Sequence, residues 1–477
     1  MLSTTEYRSL DAVGLACLVR SKQVSALEVL ECALKEVDRL NPILNAIVMR
    51  NDAQARLDAA VVDATLPLSG VPFAAKDINV QINGFQTTHA CRYFADAPES
   101  TTDSLLVRRW RDAGLIIPVR TNTPEFATDF GCEPEFYGPT NNPWDLTLTP
   151  GGSSGGAAAA VASGMFPLAH ASDSGGSIRA PAACCGVFGY KPTNGLVATG
   201  SALGSLVGGL NCDHAVSRTV RDSAMLLNVT AGPEVGNPLW FGELIDFIEH
   251  LDVPPPPLRI GFTTLSPTGL NANREICAQL DNTVRLLESL GHNVSPWQWP
   301  DNADACDVAS VFWMAEIAVL IEQYAEVVGR PPDAHELGPV ITAALQRSKK
   351  SGAIELVNAK VKLRELQVSM ATATQNIDVL LTPMLTEPPL PTGLLSELVK
   401  KDVDQWMERA WRFSPYPEIF NVTGQPAMSV PLGSDEKGLP IGMHFAAAVG
   451  NDAVLLRLAR QLELAQPWKD RYPPLAD

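Results

Sequence analysis

Two turns of similar composition carry the chemistry this chain could do. Gly151-Gly152-Ser153-Ser154-Gly155-Gly156 and Asp173-Ser174-Gly175-Gly176-Ser177 each place a serine after paired glycines, with Ala-rich sequence between them. Glycine lets backbone approach a ligand closely and adopt unusual dihedrals, which suits a hydroxyl presented to a substrate. Consecutive N–H groups in such a turn can converge on an anion, the geometry of an oxyanion hole. A single Gly/Ser-rich stretch reads equally as a flexible loop or a phosphate cradle. Two of them bracketing a small-residue helix favour one shared site.

Residues 151–155 also fit the loose GxSxG pattern of a nucleophile elbow. That motif follows a hydrophobic strand, and the preceding Asn142-Pro143-Trp144-Asp145-Leu146-Thr147-Leu148-Thr149-Pro150 is not one. It also needs a histidine, and His170, His214, His250, His292, His335 and His444 all sit in undistinguished contexts. Ser-His-Asp is therefore the lesser reading, and another base must take the serine's proton. Lys76 is the candidate, lying between the apolar run Val71-Pro72-Phe73-Ala74-Ala75 and Asp77-Ile78-Asn79-Val80. Burial disfavours an ammonium and lowers its pKa, which turns a lysine into a general base near neutrality. Taken alone, Lys76 reads more simply as the partner of a buried acid; beside the two Gly-Gly-Ser turns, the base reading takes precedence.

The elements that must position these residues follow from apolar periodicity. Residues 71–75 and 115–119 read as strands, and 104–113 between them as an amphipathic helix packing Leu105, Leu106 and Trp110. Strand, helix, strand at this spacing predicts an α/β layered sheet. Nearer the N-terminus, Ser25 and Glu28 form a capping box for a helix presenting Leu27, Leu30, Leu34, Val37 and Leu40, stopped by Asn41-Pro42. Residues 130–210 are dense in Gly, Pro, Ser and Asn and read as a loop-rich, function-bearing segment. Beyond the Pro254-Pro255-Pro256-Pro257 run, 258–262, 378–381 and 427–431 read as strands, and 272–290, 304–328, 335–376, 400–412 and 452–464 as helices. Strand-like segments on both sides of the proline run predict one continuous sheet.

Composition excludes several classes. A chain of 477 residues that is 46% hydrophobic and 19% charged has ample material for a core and is not a disordered protein. With 36 Lys plus Arg against 53 Asp plus Glu, the net charge is −17, and no long basic run exists to grip a phosphate backbone, so nucleic acid is not an expected partner. The nine cysteines are odd in number and scattered, and the adjacent Cys184-Cys185 pair suits neither a disulfide framework nor one tetrahedral metal. The N-terminus lacks the basic and apolar regions of a signal peptide, and the Ala-rich stretch 155–169 is too short and weakly hydrophobic for a membrane span. A soluble, cytoplasmic protein without membrane attachment is expected.

Beyond the single residues, the chain resembles the amidase signature family of serine hydrolases. The matching stretches are 71–77, Arg120-Thr121-Asn122-Thr123-Pro124-Glu125-Phe126, 138–145, 151–156, 173–181, Cys185-Gly186-Val187-Phe188-Gly189, Lys191-Pro192-Thr193, 420–427 and 438–442. They occur in order over nearly the whole chain, most densely between 70 and 220. The resemblance implies an α/β fold with a central mixed β-sheet sandwiched between layers of helices. It implies one domain over 1–477, with a catalytic core at 70–220 and a more variable substrate-pocket region at 225–420. It further implies a Ser–cis-Ser–Lys triad: Ser177 as nucleophile, Ser153 as bridging serine after a cis Gly152–Ser153 bond, and Lys76 as base. The N–H groups of Ser174, Gly175, Gly176 and Ser177 would form the oxyanion hole. Ser154, Asp173 and Arg179 would support it, and no cofactor or metal is needed. Many members read Gly-Thr-Asp where this chain has Ala171-Ser172-Asp173, a departure expected to touch substrate contacts rather than catalysis. A thiol nucleophile at Cys184-Cys185 is the lesser alternative.

The activity so implied is hydrolysis of the C–N bond of small linear, aryl or cyclic amides, with carbamates and esters as further candidates and a small molecule and water as partners. The layout is closest to hydrolases of cyclic nylon oligomers, with aryl acylamidase and urethanase-type members beside them. The alternatives are a glutamine-hydrolysing amidotransferase subunit, against which stands the lack of a docking tail, and a non-catalytic binding protein, against which stand intact Lys76, Ser153 and Ser177. A monomer or homodimer is expected. Trp240, Phe241, Phe312, Trp313, Met314, Trp406, Trp411, Phe413 and Tyr416 supply the second half's pocket or core, and 421–426 is expected to pack near the site.

Overall fold

The apolar runs on either side of the predicted helix become strands buried at every position, Pro72–Lys76 and Ile116–Thr121. Full burial on both faces is what inner strands of a layered α/β sheet require. The computed structural model describes residues 2–476 apart from 199–206, 237–243 and 302. Among the described residues eleven strands form one sheet. From one edge it runs Ile47–Arg50, Ile116–Thr121, Pro72–Lys76, Leu168–Asp173, Cys212–Ser217 and Phe188–Lys191. It continues through Ala427–Ser434, Pro440–Ala447, Val379–Pro383 and Arg259–Phe262 to Asn293–Pro296. Pro72–Lys76 lies parallel to both its neighbours, while the strands from Leu168–Asp173 to Val379–Pro383 pair antiparallel, so the sheet is mixed. Helices cover it, and the α/β expectation holds. Strands from both sides of the proline run belong to this sheet.

Several local expectations change. The capping box at Ser25 and Glu28 forms, but the helix continues through Pro42 to Leu44 and ends at left-handed Asn45. Proline in the last turn forfeits only one backbone bond, and the Asn45 N–H still reaches the Asn41 carbonyl at 2.8 Å. The buried stripe of this helix is Val29, Leu30, Ala33, Leu34, Val37 and Leu40, while Leu27 faces solvent. The helix expected over 335–376 is two, Pro339–Ser348 and Ala353–Thr374, interrupted before Gly352. Near 400, Asp402 ends Leu394–Lys401 and N-caps Val403–Phe413, accepting from the N–H groups of Asp404 and Gln405.

The segment 130–210 is the largest surprise. Its Gly and Ala residues build the wholly buried helix Gly155–Ala162, strand Leu168–Asp173, helix Arg179–Cys185 and strand Phe188–Lys191 near the middle of the sheet. Small side chains let these elements pack closely, and a helix buried all round shows no amphipathic pattern. The stretch Cys306–Val328 exceeds 155–169 as the longest apolar helix: it has the length and composition to cross a membrane. It places Phe312, Ile317 and Ile321 in the core.

Candidate active site

Lys76 ends its strand, and the parallel neighbour Leu168–Asp173 ends beside it, so Lys76 and Ser172 emerge at the same edge. This edge, at the carboxyl ends of parallel strands, is where open α/β sheets hold ligands. Arg120, from the strand on the other side, is fully buried and donates to the Lys76 carbonyl at 2.9 Å, fixing the backbone there. The Lys76 ammonium has three donors and finds three acceptors: Ser153 Oγ at 2.7 Å, Ser154 Oγ at 3.0 Å and Ser172 Oγ at 3.1 Å. Burial lowers its pKa from 10.5 to about 7, against the upward pull of Cys132, Asp213 and Asp173.

The Gly152–Ser153 peptide is cis. Gly152 admits no side chain, because a Cβ there would lie 2.4 Å from the carbonyl oxygens of Asp129 and Gly131. The two serine turns are tied together where the Ser154 N–H donates to the Ser177 carbonyl at 3.2 Å. Ser153 and Ser177 both line one cleft of about 1080 Å³.

Asp173 organises the second turn. Its carboxylate accepts the N–H groups of Gly176 at 2.7 Å and Ile178 at 3.0 Å, and a two-pronged grip from Arg179 at 2.8 and 2.9 Å. Burial alone would raise this carboxyl, but the Arg179 guanidinium overrides it and holds the group well below the usual carboxylate range. Asn421, from the far end of the chain, donates to the Asp173 carbonyl at 2.8 Å and accepts from Arg179 at 2.6 Å. The expected proximity of 421–426 is thus specific to Asn421. Of the four N–H groups expected to meet an oxyanion, that of Gly176 donates to Asp173. Gly176 adopts φ +127°, and a Cβ would strike Pro417 at 2.5 Å. Ser174 and Gly175 line the cleft beside Ser177, and the Ser174 hydroxyl donates to Asn211 at 2.9 Å.

The remaining candidates separate clearly. His170 is buried between the Lys76 N–H at 3.3 Å and Asp213 at 3.0 Å, outside the cleft lining. His89 does line the cleft, stacked on Phe126 with centroids 5.1 Å apart, and burial holds its pKa down to about 4. Cys184 and Cys185 are fully buried, which pushes both thiols up and leaves them inert. Among the described residues no cluster of three or more His, Cys, Asp or Glu is placed to hold a metal.

The pocket is not confined to 225–420. Ile78, Asn79, Phe126, Asp129 and Phe130 from the first half line it together with Trp313, Trp406 and Trp411 from the second. Phe312, Phe413 and Tyr416 are core, Met314 is not among the lining residues, and Trp240 and Phe241 lie outside the described residues. Sequence reasoning missed Ser172 as a Lys76 partner, although its position one before Asp173 was a usable signal. It also missed Asp129, Glu316 and Glu418 in the cleft, where no spacing or motif marked them.

Known proteins place this geometry in context. The family model for Amidase matches residues 28–456. The chain is 32% identical over 98% of its length to the 6-aminohexanoate-cyclic-dimer hydrolase of Paenarthrobacter ureafaciens, covering 96% of that protein. It is 30% identical to the acylamidase of Rhodococcus erythropolis, with 97% of each chain covered. A solved structure of 6-aminohexanoate cyclic dimer hydrolase complexed with substrate superposes with TM-score 0.94 at 31% identity, covering 98% of this chain and 100% of that one. A bacterial aryl acylamidase of the amidase signature family shares the fold, with TM-score 0.86 over 98% of each chain at 24% identity. The chain belongs to the amidase family, on the α/β amidase signature fold. It is accordingly an amide hydrolase, acting on carbon–nitrogen bonds with water as co-substrate.

Proposed function

We propose that this enzyme cleaves small linear, aryl or cyclic amides through a Ser177–Ser153–Lys76 relay and an acyl-enzyme. The observation that carries the reading is the 2.7 Å contact between Lys76 Nζ and Ser153 Oγ at the buried end of a cleft that Ser177 also lines. Neutral Lys76 accepts the Ser153 proton as Ser153 accepts that of Ser177, whose Oγ attacks the amide carbonyl. The N–H groups of Ser174, Gly175 and Ser177 receive the oxyanion, each donor of this kind contributing about 2.7–4 kcal/mol to the transition state. Return of the proton through Ser153 expels the amine, and water then releases the acid by the same relay. Ser154 and Ser172 hold the lysine in line. Asp173, Arg179 and Asn421 fix the oxyanion turn without reacting.

The names of the relatives at 30–32% identity point to cyclic and acylated amides as substrates. Carbamates present the same carbonyl to Ser177 and are the next class to try, followed by esters. The whole chain, 1–477, acts as one unit, with 70–220 supplying the chemistry, and works in the cytoplasm as a monomer or homodimer. The test is labelling by a fluorophosphonate of wild type and Ser177→Ala, followed by turnover of an amide, carbamate and ester panel. Wild type labels and Ser177→Ala does not; equal labelling of the two would remove Ser177 from the role of nucleophile.

A further inference from the structure

We propose that Glu418 is a recognition residue for a positively charged amine carried by the substrate, binding it beside the oxyanion turn. The inference rests on the amide-hydrolase reading above and narrows its substrate class.

The cleft is electrostatically one-sided. Its lining includes the carboxyl groups of Asp129, Glu316 and Glu418 and, among the described residues, no Lys or Arg, although Lys76 hydrogen-bonds to Ser153 and Ser172 of that lining. Two of the three acids are already engaged by fixed donors. Asp129 accepts the Gly131 N–H at 3.1 Å and the Trp406 indole N–H at 3.1 Å, and Glu316 accepts the N–H groups of Val207 and Gly208. Glu418 differs. It is 4% exposed, yet its Oε2 has no hydrogen-bond partner, and only the thiol of Cys306 acts to lower the carboxyl. A buried carboxyl oxygen left unmatched is a standing cost in the empty site, which a ligand donor would relieve.

Its surroundings specify the donor. Glu418 and Trp411 flank Gly175 of the oxyanion turn: a Cβ on Gly175 would stand 3.7 Å from Glu418 Oε1 and 3.5 Å from the Trp411 ring. A carboxyl group and an indole that approach the same point above Gly175 suit an ammonium, one supplying charge and the other a π face. Asp304 and Asp307 act on Glu418 from the start of helix Cys306–Val328 and deepen the negative potential. Burial, with those two neighbours, raises the Glu418 carboxyl to about 8, so in the empty site it is largely protonated near neutrality. An arriving ammonium favours the carboxylate, and the proton leaves to solvent. A substrate carboxylate finds no counter-charge at Glu418 and loses its hydration there without compensation.

Two matched substrate series test this and tell whether the amine sits on the acyl or the leaving side. In the first, p-nitroanilides carry a 6-aminohexanoyl, a hexanoyl or an adipoyl chain; in the second, hexanoyl amides carry a 4-aminobutyl or a butyl group on nitrogen. In at least one series kcat/KM for the amine exceeds that for the neutral chain by about 10- to 100-fold, chiefly through KM. The adipoyl compound falls below the neutral one. Glu418→Gln, which keeps size and shape, brings the amine-to-neutral ratio close to one, and fluorophosphonate labelling of Ser177 in that variant reports whether its site is assembled. An amine-to-neutral ratio near one in both series with wild type overturns the proposal, whether or not the variant folds. So does a ratio that Glu418→Gln leaves unchanged. If wild type hydrolyses no member of either series, amine-bearing or neutral, the hydrolase reading itself falls and takes this proposal with it.

Discussion

The pH dependence of Ser177 acylation is the most demanding test of the relay. An ordinary lysine, with a pKa of 10.5, is neutral at pH 7 in about one molecule in three thousand, whereas Lys76, held at about 7, is neutral in about half. Burial therefore supplies roughly a thousandfold more of the basic form, which is the scale of a whole general-base contribution. Acylation by an activated anilide, followed in the burst phase from pH 5 to 10, should rise tenfold per pH unit below about 7 and level off above it. Lys76→Ala should lose about a thousandfold or more at the plateau. Asp129, raised by burial to about 6, and Glu418 also titrate within this range, so the inflection must persist in Asp129→Asn and Glu418→Gln. A flat profile, an inflection that disappears in either of those variants, or a Lys76→Ala enzyme within tenfold of wild type would each refute the assignment. Stability carries a linked effect. Between pH 7 and 10.5 the unfolded chain holds a proton on Lys76 that the folded chain lacks, so this group adds stability as pH rises through that window. Below pH 7 both states are protonated and the burial penalty is present in full, about 5 kcal/mol.

Ser153→Ala should slow acylation by about 10²- to 10⁴-fold with the fold intact, because it cuts the path between Ser177 and the base; single-turnover kinetics and a thermal melt separate the two effects. Asp173→Asn strands the Arg179 guanidinium in a fully buried setting and should cost about 3–5 kcal/mol in denaturant unfolding. Because the Asp173 carboxyl is held low in the folded state, its stabilisation is present above the unfolded carboxylate pKa and lost as pH falls, so the variant should show a shallower acid limb. Gly152→Ala should give little folded protein on gel filtration, since its methyl would sit 2.4 Å from two carbonyl oxygens. Cys184→Ala should leave the fluorophosphonate labelling rate within about threefold of wild type, as expected of a buried thiol outside the cleft.

The proposed catalytic residues were legible because they are glycine-bracketed serines and a lysine in an apolar run, combinations with few uses. The strands at 71–75 and 115–119 were legible for a related reason: inner strands are apolar on both faces. Ser172 was hidden because its role comes from strand pairing, the parallel register that sets Leu168–Asp173 beside Pro72–Lys76. Glu418 was hidden because its surroundings come from elements far apart in sequence, the turn at 175, the start of helix Cys306–Val328 and its own short helix Glu418–Val422. Spacing says where the Gly176 N–H lies and not that Asp173 competes for it. Residues 130–210 looked like loops because composition cannot distinguish glycine used for freedom from glycine and alanine used for proximity.

The contact between Asn421 and Asp173 spans 248 residues of chain. The oxyanion turn is therefore completed by a segment synthesised long after the serines and the lysine have left the ribosome. Long-range closures of this kind form late in folding, because the loop entropy must be met before the contact can repay it. A nascent chain that ends before residue 421 carries every proposed reacting group and lacks the Asn421 contact with Asp173. Onset of fluorophosphonate reactivity during refolding would thus time this closure, and the enzyme would stay silent toward amides until its sheet is whole.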